Sequence, residues 1–274
     1  MNAALKNATG EIFIRIDDDV IASPEWLESI VHTFDTIPKV GGVTGPTVIP
    51  PDHLKARDLF YFQGKFLKGA IYWRVIGIIY YRFFMEGKPF ALGKWYGSGA
   101  FSLGSNLPSS TTLEGPVEVM HHEACNMAVR RDLLVKVGGF DPKYGGSGEF
   151  HEPDASFKIT RIGYKILFDP AAAVNHLPST DGYFRARSES YSRVVNFVNF
   201  YFSNIRLDEF GKGIRFVTYL LFLNTYWLFI FLTTKNRNQL GAFRGTIEAI
   251  IKNTFLVRKN RRVACSVFNT RGGI

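Results

Sequence analysis

The chain has 274 residues, 46% of them hydrophobic, with 33 Lys and Arg against 24 Asp and Glu, a formal charge of +9. That composition excludes a disordered or fibrous repetitive chain, and the length suffices to bury a full core without disulfides or a structural metal. Cys125 and Cys265, the two cysteines, cannot make a disulfide framework or a four-ligand zinc site, which points to a reducing compartment.

The opening MNAALKNATGEIF lacks a basic stretch followed by an apolar run, so no secretory signal is expected. Residues 12–16 (IFIRI) read as a mostly buried strand of a parallel sheet, ending in Asp17-Asp18-Asp19. Ser23-Pro24-Glu25 has the form of a helix start, with Ser as cap, and Trp26, Leu27, Ile30, Val31 and Phe34 follow at helical spacing. Residues 40–49 read as the next strand, interrupted by Gly and Pro. The middle, 50–117, holds one aromatic helical candidate and a glycine-rich polar piece. Order resumes at 124–129, then a short helix stops at Gly138-Gly139. A glycine-bearing loop leads into a helix opened by Glu152-Pro153-Asp154 and ended by Gly163, and residues 166–168 and 173–176 read as strands. This is the strand, helix, strand grammar of an α/β sheet.

Beyond about residue 179, aromatic helical segments replace the strand signals, and the basic excess gathers there. Residues 216–232 (FVTYLLFLNTYWLFIFL) carry no charge. At 17 residues this stretch sits at the lower edge of what crosses a hydrocarbon core, so a span, an interfacial helix and a buried helix all fit.

Three carboxylates at the end of a buried strand resist desolvation unless something neutralises them. A divalent cation would do so: side chains alternate, placing Asp17 and Asp19 on one side and Asp18 on the other, and hard oxygen ligands favour Mg²⁺ or Mn²⁺. A solvated turn capping the next helix fits the same string. Glu149, Glu152 and Asp154 are ordinary choices for a helix's first turn, yet three beside a glycine-rich loop also suit a catalytic base. His176 fits either a core histidine or a metal ligand. Arg130 and Arg131 suit phosphate or a surface helix start. Trp95 and Tyr96 suit a sugar face or the core, and the loop 144–148 a lid or plain surface.

Three strings in order, IFIRIDDDVIASPEWL, CNMAVRRDLLVKVGGFD and GEFHEPDASFKITRIGYKILFDPAAAVNH, resemble the family 2 glycosyltransferases of the GT-A type, which use nucleotide sugars and invert the anomeric centre. The resemblance implies an α/β fold: a partial GT-A, Rossmann-like mixed sheet flanked by helices over residues 1–180. A C-terminal helical, membrane-associated region, 181–274, would follow, with one membrane segment near 214–233. It implies Mg²⁺ or Mn²⁺ held by Asp17 and Asp19 with His176 nearby, and donor binding by Asp17, Asp18, Asp19, Arg130 and Arg131. Glu152 falls at the catalytic base position, with Asp154 as the neighbouring carboxylate. The expected partners are a nucleotide-sugar donor, a glycan or lipid-linked acceptor and a membrane surface, with no nucleic acid, at the cytoplasmic face of the cell membrane or, second, in the cytoplasm. The family's nucleotide-gripping half would precede Met1, and Ala124-Cys125 stands where relatives often carry glycine. The lack of a Gln-x-x-Arg-Trp string favours single-sugar transfer. Two other readings accompany this one: an inactive membrane-attached fragment or partner, and Mg²⁺-dependent nucleotidyl or phosphoryl transfer.

Overall fold

The computed structural model describes residues 1–50, 65–146, 148–177, 190–205 and 210–269. Helix α1 (Asn2–Asn7) leads into β1 (Ile12–Ile16), β2 (Val20–Ala22), α2 (Trp26–Thr36), β3 (Val40–Thr44) and β4 (Thr47–Val48). Next come α3 (Ile71–Ile79), continuing into a π-helical turn Tyr80–Phe84, and the short strands β5 (Lys94–Trp95), β6 (Phe101–Ser102) and β7 (Val117–Val119). They are followed by β8 (Asn126–Arg130), α4 (Arg131–Lys136), α5 (His151–Arg161), β9 (Lys165–Phe168) and β10 (Val174–His176). Three helices close the chain: α6 (Ser190–Asn204), α7 (Phe210–Thr234) and α8 (Gly241–Asn269).

The main sheet has the order β1-β8-β3-β9-β7, and β2-β10-β4 forms a smaller one. It is a mixed sheet flanked by helices: β3 pairs parallel with β9, whereas β8 runs antiparallel to both β1 and β3. The expectation that β1 lies within a parallel sheet is thereby corrected. Among the described residues it pairs only with antiparallel β8 at the sheet's edge, which is why Ile16 is 47% exposed. Gly45-Pro46 splits the expected strand 40–49 into β3 and β4, which join different sheets. Proline supplies no ladder donor, so a strand breaks there readily. The expected Ser23 cap is also corrected: α2 starts at Trp26, whose N–H meets the Ser23 carbonyl at 3.1 Å, while the Ser23 hydroxyl makes no cap bond.

Each face of the sheet is covered for a reason visible in the residues. Helix α2 turns Trp26, Ile30 and Phe34 onto Val40, Val43 and Leu167. Helix α5 turns Ala155 and Ile159 to the other face, against Phe13, Met127 and Ile166. Such i, i+4 apolar spacing buries one helical stripe and leaves the rest wet. A third cluster joins α6, α7 and α8 to Phe84, Trp95 and Tyr96 from the middle of the chain. That middle segment packs with the C-terminal helices, although the sequence division at residue 180 assigns it to the first part. The division itself falls outside the described residues.

Candidate active site

Register fixes which end of the sheet carries the chemistry. Ile16 lies opposite Asn126 and Ile12 opposite Arg130, so the carboxyl end of β1 adjoins the start of β8. Helix α5 runs back against β9, placing its first turn at that same edge. Asp17 to Asp19 and Glu152 therefore approach one another although they are far apart in sequence.

Arg15 joins them. Its guanidinium pairs with the Glu152 carboxylate and reaches Asp17 Oδ1 at 3.2 Å. Glu152 is buried, at 5% exposure. Burial pushes its carboxyl above the usual range, Arg15 pulls it back down and Asp17 pushes it up again, with a net upward shift. A carboxylate so placed is a stronger proton acceptor than one in water. Nothing in the sequence pattern marks Arg15, because a charged residue in a short strand reads as an outward-facing break in the alternation.

Asp19 extends the cluster toward the smaller sheet. Its side chain lies 3.3 Å from His176 Nε2, and its carbonyl accepts the Leu177 N–H at 2.8 Å. Asp18 points to solvent, and Asp17 and Asp19 are half-buried, matching the alternation expected of an extended segment. Among the described residues no three His, Cys, Asp or Glu side chains already gather as a metal-binding group. Two carboxylates and an imidazole are nevertheless a donor set suited to Mn²⁺ or Mg²⁺ when phosphate oxygens and water complete the shell.

Asp154, the neighbouring carboxylate of Glu152 in the same helical turn, is held among partners of its own. It is 1% exposed and accepts hydrogen bonds from Tyr144 Oη at 2.9 Å and Asn204 Nδ2 at 2.8 Å, while Lys158 Nζ lies 2.7 Å away. These partners tie α5 to the loop before it and to α6. The same Tyr144 contact fixes one end of the expected lid and Asn196 Nδ2 donates to the Gly145 carbonyl at 2.9 Å, so residues 144 and 145 are held to α5 and α6, while Ser147 lies outside the described residues. Glu149, the third carboxylate of the expected set, turns away from Glu152 and pairs with Arg193 of α6 at 3.0 Å.

Arg130 and Arg131, expected at the donor phosphate, are not brought to this cluster. They lie at the opposite end of β8 from Asp17: Arg130 sits opposite Ile12, five strand steps or about 17 Å along the sheet from Asp17. Arg130 donates to the Val40 and Phe34 carbonyls at 3.0 and 2.9 Å and stacks over the Phe34 ring, closing the end of α2. The backbone N–H of Arg131 donates to the Glu11 carbonyl at 2.8 Å. Trp95 and Tyr96 are core residues, 4% and 1% exposed.

Behind this cluster lies a buried polar layer that sequence reading does not single out. His122 Nε2 faces the Ala128 carbonyl at 3.1 Å and Nδ1 faces Ser156 Oγ of α5 at 2.8 Å. His121 Nδ1 faces the His122 carbonyl at 2.8 Å. Desolvation drops His121 to about 4 and His122 to about 3, so both are neutral. Gly42 makes room for this layer, since a Cβ there would collide with the His122 ring. Asn126, in the string resembling an acceptor-side segment, is wholly buried; it accepts from Trp26 Nε1 at 3.0 Å and donates to the Ala172 carbonyl at 2.8 Å.

Residues 1–94 match the model of glycosyl transferase family 2. The chain is similar to a glucosyl-dolichyl phosphate glucuronosyltransferase of Haloferax volcanii, 27% identical over 173 residues that make up 61% of this chain and 43% of that protein. Among solved structures it is similar to a mannosyltransferase of Pyrobaculum calidifontis in complex with GDP-Man and Mn²⁺, at 19% identity and a TM-score of 0.41, over 96% of this chain and 58% of the other. It is also similar to GalNAc-T7 with UDP, GalNAc and Mn²⁺, at 16% identity and a TM-score of 0.41, over 74% and 36% of the respective chains. The chain thus spans less than half the length of the curated relative it matches.

Proposed function

We propose that this chain transfers a single sugar from a nucleotide-sugar donor to an acceptor hydroxyl, with inversion, in glycan or glycolipid assembly. The observation carrying the proposal is the Arg15 bridge, which joins Glu152 to the Asp17 carboxylate at the sheet's carboxyl edge. Ligands of open α/β sheets collect at such edges.

In this reaction Glu152 takes the proton from the acceptor hydroxyl while that oxygen attacks the anomeric carbon from the face opposite the leaving diphosphate. Arg15 orients the carboxylate, and burial keeps it basic. Asp17 and Asp19, with His176 beside them, would hold Mg²⁺ or Mn²⁺. When bound, that cation neutralises charge on the leaving diphosphate. Asp154 keeps the first turn of α5 in place and touches no substrate. The name of the Haloferax relative, with its dolichyl phosphate, supports a lipid-linked acceptor and a membrane-associated site.

The test is turnover of UDP-, GDP- and dTDP-sugars by the purified chain with and without Mn²⁺, beside the variant Asp19→Ala. Metal-dependent release of nucleotide that Asp19→Ala abolishes is the expected result. Turnover unaffected by chelation and by Asp19→Ala would overturn the assignment of the aspartates.

A further inference from the structure

Helix α7 is the one helix among the described residues long and apolar enough to cross a membrane by length and composition. Its anchorage argues against crossing. At its start Arg215 Nη1 lies 3.3 Å from Glu86 Oε1. Midway Asn224 Nδ2 donates to Thr246 Oγ1 of α8 at 2.9 Å, and Arg193 of α6 stacks over Trp227. Just past its end, the turn Arg237–Leu240 is tied to the start of α6, where Ser190 Oγ donates to the Asn238 carbonyl at 2.8 Å. A helix spanning a hydrocarbon core about 30 Å thick puts its two ends on opposite sides of it. Here both ends are fastened to one protein body, so α7 lies along that body.

The outward side of α7 and its neighbours is apolar. Val217, Leu221 and Leu228 of α7 are exposed, Leu221 at 63%. On α8, Phe243, Ile247, Ile251 and Phe255 form an exposed i, i+4 stripe. On α3, Ile71, Val75 and Ile79 repeat the spacing, and the turn that follows packs Tyr80 and Phe84 against Phe222 and Tyr219 of α7. The three helices are therefore neighbours with unpartnered apolar faces. Cations punctuate them. Across 210–255 these are Lys212, Arg215, Lys235, Arg237, Arg244 and Lys252 against Glu248 alone, and across 65–96 Lys and Arg recur with Glu86 as the single carboxylate. Both glutamates are already paired, with Arg244 and Arg215 respectively.

We infer that α3, α7 and α8 form a single surface that docks, without crossing, onto an anionic lipid bilayer. Apolar residues interleaved with cations are what an interfacial contact needs: the stripes enter the acyl boundary while the cations meet lipid phosphates. Charge selects this occupant over a second copy of the chain, which would bring the same cations against themselves. The inference deepens the membrane part of the proposed function, and it is read out without any turnover.

The experiment is flotation of the purified full chain with phosphatidylcholine vesicles and with vesicles containing anionic phosphatidylglycerol. Recovery should be at least about tenfold higher on anionic vesicles, should fall as salt rises, and should be lost on carbonate extraction at high pH. The variant Ile247→Glu/Ile251→Glu, with its fold checked by circular dichroism, should reduce binding about tenfold or more. Cysteines introduced as Lys212→Cys and Lys235→Cys should both label from outside sealed vesicles. Labelling of only one of them, or resistance to carbonate, would establish a spanning helix and overturn the inference. Equal recovery on neutral vesicles, or a dimer in solution that the double variant dissolves, would overturn it as well. Because none of these readouts involves a sugar donor, loss of the transferase reading would leave them unchanged.

Discussion

The carboxylate cluster and the packed layer behind it bury ionisable groups to similar depth and use them in opposite ways. In the cluster, Glu152 is desolvated, which raises its carboxyl, yet it faces Arg15, which pulls the other way, at the edge of the sheet. Behind it, His121 and His122 are desolvated with only carbonyls and a hydroxyl for partners, and burial drives both toward the neutral form. Burial disfavours charge in both places; the partner decides whether the group stays reactive or only holds neighbouring elements together. Asp154 gives the same contrast within one helical turn. It is as buried as Glu152, but its oxygens are occupied by Tyr144, Asn204 and Lys158.

The largest effect expected from this contrast is in the carboxylate cluster. Glu152→Gln should lower turnover about 10²- to 10⁴-fold, the usual contribution of a general base, while nucleoside diphosphate binding stays within a few-fold. Because the folded carboxyl is shifted upward, the acid limb of the wild-type rate profile should lie above the ordinary carboxylate range. The same shift means that ionising Glu152 opposes folding as pH rises, so the variant should be no less stable than the wild type at neutral pH. Full turnover in purified Glu152→Gln would transfer the base role elsewhere.

The next effect belongs to the layer behind. The histidines bind protons in the unfolded chain below about pH 6.5 but in the folded chain only near 4 and 3. Folding stability is therefore intact above about pH 6.5 and falls as pH drops toward those values. At about 1.4 kcal/mol per pH unit for each group, the pair should cost roughly 4 kcal/mol by about pH 5. Urea midpoints at neutral pH and near pH 5, with His122→Gln as the control, measure this. A midpoint independent of pH in that window would show that the pair is hydrated rather than packed.

Within the first turn of α5, Asp154→Ala should cost about 3 kcal/mol by leaving the Tyr144 and Asn204 donors and the Lys158 charge unmatched. Asp154→Asn should recover part of that loss, and turnover per folded molecule should stay within a few-fold in both. A selective loss of turnover without loss of stability would return Asp154 to the catalytic set.

Legibility in the sequence followed the range of the forces involved. The β-branched run at 12–16, the helical spacing from Trp26 and the glycine stops are local signals, and the elements they announce are present. The family match was readable because motif strings carry both spacing and order. Pairing partners were not readable: nothing local to IFIRI tells whether its neighbour runs parallel or antiparallel, and the edge position of β1 depends on β8, far along the chain. The Arg15 bridge and the roles of His122 and Asn126 were invisible for the same reason, since each is defined by a partner distant in sequence.

Arg130 shows the cost of reading charge without register, and it carries the smallest predicted effect. An Arg-Arg pair after a strand invites a phosphate assignment, yet antiparallel pairing of β8 carries it to the end of the sheet away from Asp17. There its guanidinium satisfies carbonyls of Phe34 and Val40 that the end of α2 and the start of β3 leave open. Arg130→Ala should cost about 1–2 kcal/mol, typical of hydrogen bonds from a charged donor at a half-buried site, with nucleotide binding and turnover unchanged. Arg130→Lys should recover little of this, because a single ammonium does not span two carbonyls as the fork does. Thermal unfolding and nucleotide titration of both variants decide the matter: weakened nucleotide binding at wild-type stability would mean that the guanidinium reaches the donor after all.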